Sequence, residues 1–158
     1  MIEAYFDGAC EPVNPGGTAA YGAVVLRNGV KIFSESKIFH PEKGREYRTS
    51  NNIAEYSGFL AILQFLISQN LQESYILVRG DSNLVIQQMF VTNSNHGKRW
   101  RIKGGYYVPV ALKCQDLLKR FPHIAGEWIP REKNSLADEL SKAELHRAGI
   151  IFRIQPER

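Results

Sequence analysis

Four carboxylates fall where the hydropathy pattern ends a strand or begins a helix. Asp7 follows the alternating run IEAYF, Glu55 lies in NNIAEYS, Asp81 follows the apolar run YILVRG, and Asp138 lies in NSLADEL. Each has a structural role open to it. Asp7 suits a turn, and Asn52-x-x-Glu55 has the spacing of a capping box. Asp81 suits an N-cap for a helix starting at Ser82, and Ser135-x-x-Asp138 is a second capping pattern that also complements the helix dipole. Taken together they admit another reading. Two strand ends and two helix starts meet readily at one rim of a sheet, and four carboxylates there repel one another unless divalent cations lie between them. Oxygen ligands with no His or Cys beside them favour Mg²⁺ or Mn²⁺ over zinc. A pair of such ions about 3.5–4 Å apart suits displacement at phosphorus, with one activating water and the other stabilising the leaving oxygen.

The elements that must carry these groups follow from periodicity. Ile2, Ala4 and Phe6 alternate with Glu3, Tyr5 and Asp7, which predicts a first strand over 2–7 ahead of the turn-rich GACEPVNPGG. Segments 18–27 and 30–39 read as strands joined at Asn28-Gly29, a strong hairpin signal. Residues 40–50 are polar and irregular. A helix is predicted from about Asn52, with Phe59, Ile62, Leu63 and Leu66 on one face and Glu55 in its first turn. Residues 75–80 form a short buried strand and 82–89 a helix, followed by a basic connection over 92–106. A helix over 110–121 carries Ala111, Leu117, Leu118 and Phe121 as packing positions. A strand over 124–129 and a helix over 135–148 follow, the latter with a small-residue stripe at Ala137, Ser141, Leu145 and Ala148. The order β-β-β-α-β-α-α-β-α predicts an α/β fold, a mixed five-stranded sheet of three antiparallel strands followed by parallel ones, with helices for both faces. One domain is expected over 1–148. The tail 149–158, where Ile150, Phe152 and Ile154 alternate, is expected as an extended segment packed on it.

Composition narrows the class. With 158 residues, 44% hydrophobic and 23% charged, the chain is neither disordered nor a coiled coil, and it is long enough to bury a core without disulfides. Two cysteines without C-x-x-C spacing and four scattered histidines form no framework and no metal-ligand pattern. Phe59 to Ile67 is too short for a membrane span and is interrupted by Gln64. MIEAYFDG lacks the basic start of a signal peptide. A cytoplasmic protein is therefore expected. The 20 Lys and Arg against 16 Asp and Glu give a formal charge of +4, compatible with a nucleic-acid partner.

The chain resembles type 1 ribonuclease H along about residues 1–148. The matching pieces are Y-F-D-G-A-C with N-P-G-G, T-S-N-N-I-A-E-Y, G-D-S-N-L-V-I and W-I-P-R-E-K-N-S-L-A-D-E-L, in that order. The resemblance implies that Asp7, Glu55, Asp81 and Asp138 are catalytic carboxylates holding two Mg²⁺ ions, for which Mn²⁺ substitutes. It implies hydrolysis of the RNA strand of an RNA/DNA hybrid to 3′-hydroxyl and 5′-phosphate ends. It also implies contacts to that hybrid. Cys10 and Asn14 face the RNA strand, Asn51 and Asn83 sit beside Glu55 and Asp81, Asn52 meets a base or sugar, and Arg48 with Ser50 matches a DNA-phosphate pocket. Cys10 reads as a packing residue rather than a nucleophile, since nothing near it in sequence lowers its pKa.

Two features depart from many bacterial members. The histidine of a glycine-rich loop before the last aspartate is missing, and alignment on Trp128 puts Glu132 in its place. The W-x-P-R-E run is closer to archaeal-type members, and Glu132 is a candidate for the auxiliary catalytic role or a solvated loop residue. The long basic protrusion is replaced by TNSNHGKRWRIKGGY, in which Lys98, Arg99, Arg101 and Lys103 surround Trp100. Those cations offer sequence-independent phosphate affinity, and the indole offers a stacking face. The other reading is a solvated edge strand with one anchoring tryptophan. With no separate N-terminal hybrid-binding domain, binding is expected to be weak and salt-sensitive. A monomer with no obligate protein partner is expected. Other readings are a resolvase-like enzyme of the same fold and a catalytically silent hybrid- or RNA-binding module. The Asp-Glu-Asp-Asp order disfavours an integrase-like Asp-Asp-Glu set. Clustered negative charge near a phosphate, which binding alone would not need, speaks against the silent module.

Overall fold

A computed structural model describes residues 1–41, 43–45 and 48–153. Ile154 and the rest of the tail lie outside the described residues. The strands are β1 (Ile2–Glu11), β2 (Thr18–Arg27), β3 (Val30–Ile38), β4 (Ile76–Gly80) and β5 (Ile124–Trp128). The helices are α1 (Asn51–Ser68), α2 (Asn83–Met89), α3 (Val108–Leu118) and α4 (Ser135–Arg147), with a 3-10 turn at Arg131–Lys133 before α4. The five strands form one sheet in the order β3-β2-β1-β4-β5. β1, β2 and β3 are antiparallel, while β4 runs parallel to both β1 and β5. At the β2–β3 hairpin, Asn28 and Gly29 both have positive φ (50° and 81°), as a tight two-residue turn requires.

Register positions the site. β1 and β4 pair from Ile2↔Ile76 to Phe6↔Gly80, and there the ladder stops. Asp7 and Asp81 are the next residues on the two neighbouring strands, at the carboxyl end where an open α/β sheet forms its crevice. The first strand does not end at Asp7 as its sequence suggests. Gly8 to Glu11 stay paired with β2, from Gly8↔Tyr21 to Glu11↔Thr18, and the reversal is confined to 12–17. β1 thus runs on beside β2 after β4 has turned away.

α1 and α4 cover opposite faces. Phe6 packs against Phe59 of α1, with ring centroids 5.7 Å apart. A Cβ on Gly8 would lie 2.4 Å from the Glu55 backbone nitrogen, and one on Gly22 would lie 2.4 Å from the Ala137 carbonyl oxygen of α4. Two glycines on adjacent strands therefore let both helices approach the sheet at backbone contact. The α1 stripe Phe59, Ile62, Leu63 and Leu66 is wholly buried. On α3 the buried stripe is Ala111, Cys114 and Leu118, with Phe121 just beyond, while Leu117 is only half-buried. α4 buries Ala137, Ser141 and Leu145, but Ala148 is its exposed C-cap.

The caps also differ from the spacing rules. Ser50, not Asn52, caps α1, its hydroxyl accepting from the Ile53 N–H at 3.2 Å. Glu55 accordingly lies beyond the first turn and is released from a capping box. Ser82, not Asp81, caps α2. Asn134 stands at the N-cap of α4, placing Ser135 inside the helix. No helix among the described residues is long and apolar enough to cross a membrane.

Candidate active site

Asp7, Glu55 and Asp81 each bring one carboxylate oxygen within 4.8 Å of the others. They come from β1, α1 and the β4–α2 junction. Asp7 and Glu55 are 4% exposed, too buried for water to screen their repulsion. Burial, then the charges of Asp81 and Asp138, pushes the Asp7 carboxyl up to about 8. Burial, then Asp7 and Asp81, holds Glu55 well above the usual carboxylate range. Glu55 Oε2 is buried and has no hydrogen-bond partner among the described residues. A buried, partnerless oxygen within a set of hard oxygen donors fits a divalent cation, which supplies the charge the protein does not.

Asp138 borders the same cleft, about 430 Å³ in volume, in a different electrostatic setting. Arg131 Nη2 lies 3.3 Å from one of its oxygens and Lys142 Nζ 3.2 Å from the other. Burial alone would raise its pKa. The hydrogen bond with Asp7 and the charges of Lys142 and Arg131 outweigh burial and hold it below the usual range. The two carboxyls are thus pushed in opposite directions, Asp7 up and Asp138 down.

Asn134, Arg131 and Lys142 have no counterpart among the candidates read from sequence. Asn134 is 1% exposed, and its Nδ2 donates to the Phe6 carbonyl at 2.9 Å and to Asp81 Oδ1 at 3.2 Å. It ties the end of the β1–β4 ladder, Asp81 and the start of α4 together. Its only sequence signal is an asparagine at a helix start. Asn134→Ala strands the Phe6 carbonyl and releases Asp81. Thermal unfolding is expected to register a loss of about 1–3 kcal/mol, together with weaker metal-induced stabilisation.

The remaining candidates separate by location. Cys10, Asn14, Asn51, Asn52 and Asn83 all line the cleft. Asn14 Oδ1 accepts from the Asn51 N–H at 3.0 Å, joining the β1–β2 turn to α1. The Cys10 thiol is buried, donates to the Val13 carbonyl and is raised in pKa by burial, as a packing residue would be. The Ser50 hydroxyl serves as the α1 cap. The Arg48 guanidinium lies 5.1 Å from the Tyr106 ring centroid. Glu132 is exposed in the 3-10 turn, beside a shallow depression it shares with Arg131, Ser135 and Asp138.

Lys98, Arg99, Trp100 and Arg101 are exposed and line a groove with Leu84 and Tyr107. Their segment forms neither strand nor helix, so the edge-strand reading is set aside. Its backbone is nevertheless fixed. The Trp100 N–H donates to the Gln87 carbonyl at 2.8 Å. Buried Gln88 accepts from the Tyr56 hydroxyl at 2.5 Å and donates to the Arg101 carbonyl at 3.0 Å and the Tyr107 hydroxyl at 3.1 Å.

Sheet order, the switch at β1 from antiparallel to parallel pairing and the acidic rim define a ribonuclease H-like protein. Residues 5–144 match the family described as reverse transcriptase-like, and the chain belongs to that family. RNase H1 from the halophilic archaeon Halobacterium salinarum is 28% identical with a TM-score of 0.74, over 92% of this chain and 98% of that one. LC11-RNase H1, solved with an RNA/DNA hybrid, is 28% identical with a TM-score of 0.76, over 94% and 99%. The bifunctional protein Rv2228c of Mycobacterium tuberculosis is 33% identical over 86% of this chain, which spans only 33% of that protein's length. The solved N-terminal RNase H domain of Rv2228c is 31% identical with a TM-score of 0.71, over 88% and 94%.

Proposed function

We propose that the protein is a divalent-metal-dependent endoribonuclease that hydrolyses the RNA strand of RNA/DNA hybrids, leaving 3′-hydroxyl and 5′-phosphate ends. One observation carries this reading: three carboxylates from β1, α1 and the β4–α2 junction converge within 4.8 Å, two of them buried, with Glu55 Oε2 left unpartnered among the described residues. The hybrid bound to a relative of TM-score 0.76 supports the substrate class.

Asp7, Glu55 and Asp81 would hold the metal, with Asp138 at their border. Mg²⁺ bound there supplies a polarised phosphoryl group and an activated water at neutral pH. Asn134 fixes the direction of Asp81. Arg131 and Lys142 keep Asp138 ionised and moderate the negative field that an entering phosphodiester meets. The short amides Asn14, Asn51, Asn52 and Asn83 line the cleft as neutral donors and acceptors, the chemistry that reads 2′-hydroxyls and sugar edges. Glu132, in the depression it shares with Asp138, is the candidate for the auxiliary role.

Lys98, Arg99 and Arg101 grip the duplex through phosphates from a backbone that Gln87 and Gln88 hold still. Replacing all three with serine is expected to flatten the dependence of hybrid affinity on salt by about one slope unit for each side chain that reaches a phosphate. Filter binding across a salt series checks this, and an unchanged slope places the hybrid elsewhere.

The deciding experiment is incubation of an end-labelled RNA/DNA hybrid with Mg²⁺, Mn²⁺ or EDTA, beside duplex RNA, duplex DNA and a four-way junction. Metal-dependent cutting of the hybrid's RNA strand is the expected result. Binding without cutting would make the protein a silent hybrid-binding module, and cutting of the junction alone would make it a resolvase.

A further inference from the structure

Arg153 reaches the catalytic cleft from far along the chain. α4 ends in a Schellman reversal: Gly149 takes φ +77°, its N–H donates to the His146 carbonyl, and the Ile150 N–H donates to the Leu145 carbonyl, both at 3.0 Å. The chain then turns back over the helix. The Phe152 ring stacks on His146, with centroids 4.3 Å apart and planes at 11°. Arg153 closes on the far half of β1. Its backbone N–H and its Nε each donate to Glu11 Oε2 at 3.0 Å, and Nη2 donates to Glu11 Oε1 at 3.2 Å and to the Cys10 carbonyl at 2.9 Å.

Glu11 is 6% exposed, so this fork meets a buried carboxylate. Burial would raise that carboxyl, and the hydrogen bonds from Arg153 outweigh burial and hold it below its usual range. The bonds engage Nε and Nη2. Among the described residues nothing accepts from the two N–H groups of Nη1, on a side chain that is 40% exposed. Phe152 and Arg153 line the same cleft as Asp7, Asn14 and Asn52.

We propose that Phe152 and Arg153 form part of the substrate-binding wall of the cleft, and that Arg153, anchored on Glu11 and Cys10, donates from Nη1 to a backbone phosphate of the RNA strand. This inference rests on the hybrid-cleaving reading. Acidic groups dominate the cleft, and its other cations, Arg131 and Lys142, are engaged with Asp138. A polyanion entering there needs a cation whose position is already fixed. A guanidinium held in a fork by Glu11 loses little further freedom when it takes up a phosphate.

Arg153 would otherwise serve only to neutralise Glu11, and a double variant separates the two roles. Arg153→Ala alone leaves Glu11 buried and uncompensated. Glu11→Gln/Arg153→Ala removes both charges and keeps the fold testable. Hybrid affinity is measured across a salt series in the Asp7→Asn background, where the duplex stays intact, and KM and kcat are measured with Asp7 in place. The double variant is expected to bind hybrid about five- to tenfold more weakly, with a salt slope lower by about one. KM should rise in parallel while kcat stays within about twofold. Parental affinity and slope in the double variant would reduce Arg153 to a counter-ion of Glu11 and overturn the proposal. A parent chain that neither binds nor cuts hybrid would overturn both readings. A parent that cuts hybrid, with variants matching it, would remove Arg153 alone.

Discussion

Asp7→Asn is expected to reduce metal-dependent cleavage at least about a thousandfold and, in the same protein, to raise the thermal stability of the metal-free fold at neutral pH. The two effects have one cause. In the folded, metal-free state Asp7 is held up to about 8 and Glu55 well above its usual range. Unfolding returns both to ordinary carboxylates. From the ordinary range up to about 8 the folded state therefore binds more protons than the unfolded one, and stability falls as pH rises through that window. Each tenfold mismatch in proton affinity is worth about 1.4 kcal/mol. A divalent cation binds the folded cluster and not the dispersed carboxylates, so it lifts this penalty by mass action. Asparagine keeps the shape and removes the proton-dependent charge. Melting curves in EDTA between about pH 5 and 9 should therefore fall with pH in the parent and lie flatter in the variant. Added Mg²⁺ should raise Tm in the parent far more than in Asp7→Asn. A variant with the parent's pH slope and metal response would place the electrostatic strain elsewhere. Asp138 has the opposite sign. Its lowered pKa contributes stability above the ordinary carboxylate range that is lost on acidification through the folded value.

That the carboxylates sit at strand ends and helix starts was legible in the sequence, because hydropathy period and turn residues mark those places. Which of them touch was not. The period of β1 breaks at Gly8, and GACEPVNPGG reads as one long turn, since periodicity does not register that Gly8 to Glu11 find partners in Thr18 to Tyr21. The capping rules offered Asn52, Asp81 and Ser135, whereas Ser50 and Ser82 cap α1 and α2 and Asn134 holds the N-cap position of α4. These shifts of one or two residues free Glu55 and Asp81 for the cleft. Asn134 and Arg153 were beyond reach for a different reason. Their partners, Phe6 and Glu11, lie 128 and 142 residues away, and no local pattern encodes such a pairing. The split between a crowded trio and a cation-held Asp138 likewise depends on Arg131 and Lys142, which alone read as ordinary surface charges.

Gly8→Ala is expected to damage the site without touching a carboxylate. A Cβ at Gly8 would lie 2.4 Å from the Glu55 nitrogen and 2.7 Å from both the carbonyl carbon and the Cβ of Ala54. None of these atoms ends a flexible side chain, so either α1 lifts or β1 bends. α1 is fixed by its buried stripe of Phe59, Ile62, Leu63 and Leu66, and β1 is held between β2 and β4. Relief of this kind costs about 1–3 kcal/mol or more. It also moves the backbone that carries Glu55 away from Asp7, opening a cluster whose oxygens lie within 4.8 Å. Metal affinity is expected to drop at least about tenfold, with cleavage falling accordingly. Gly104→Ala is the matched control, since a Cβ there meets nothing within 4 Å. It should leave both Tm and the Mg²⁺-induced rise in Tm at parental values. The distinguishing readout is that rise rather than Tm itself, because any overpacked core lowers Tm. A Gly8→Ala protein that melts early yet responds to Mg²⁺ like the parent would mean the three carboxylates keep their spacing when α1 moves, and that the close approach at Gly8 serves packing alone.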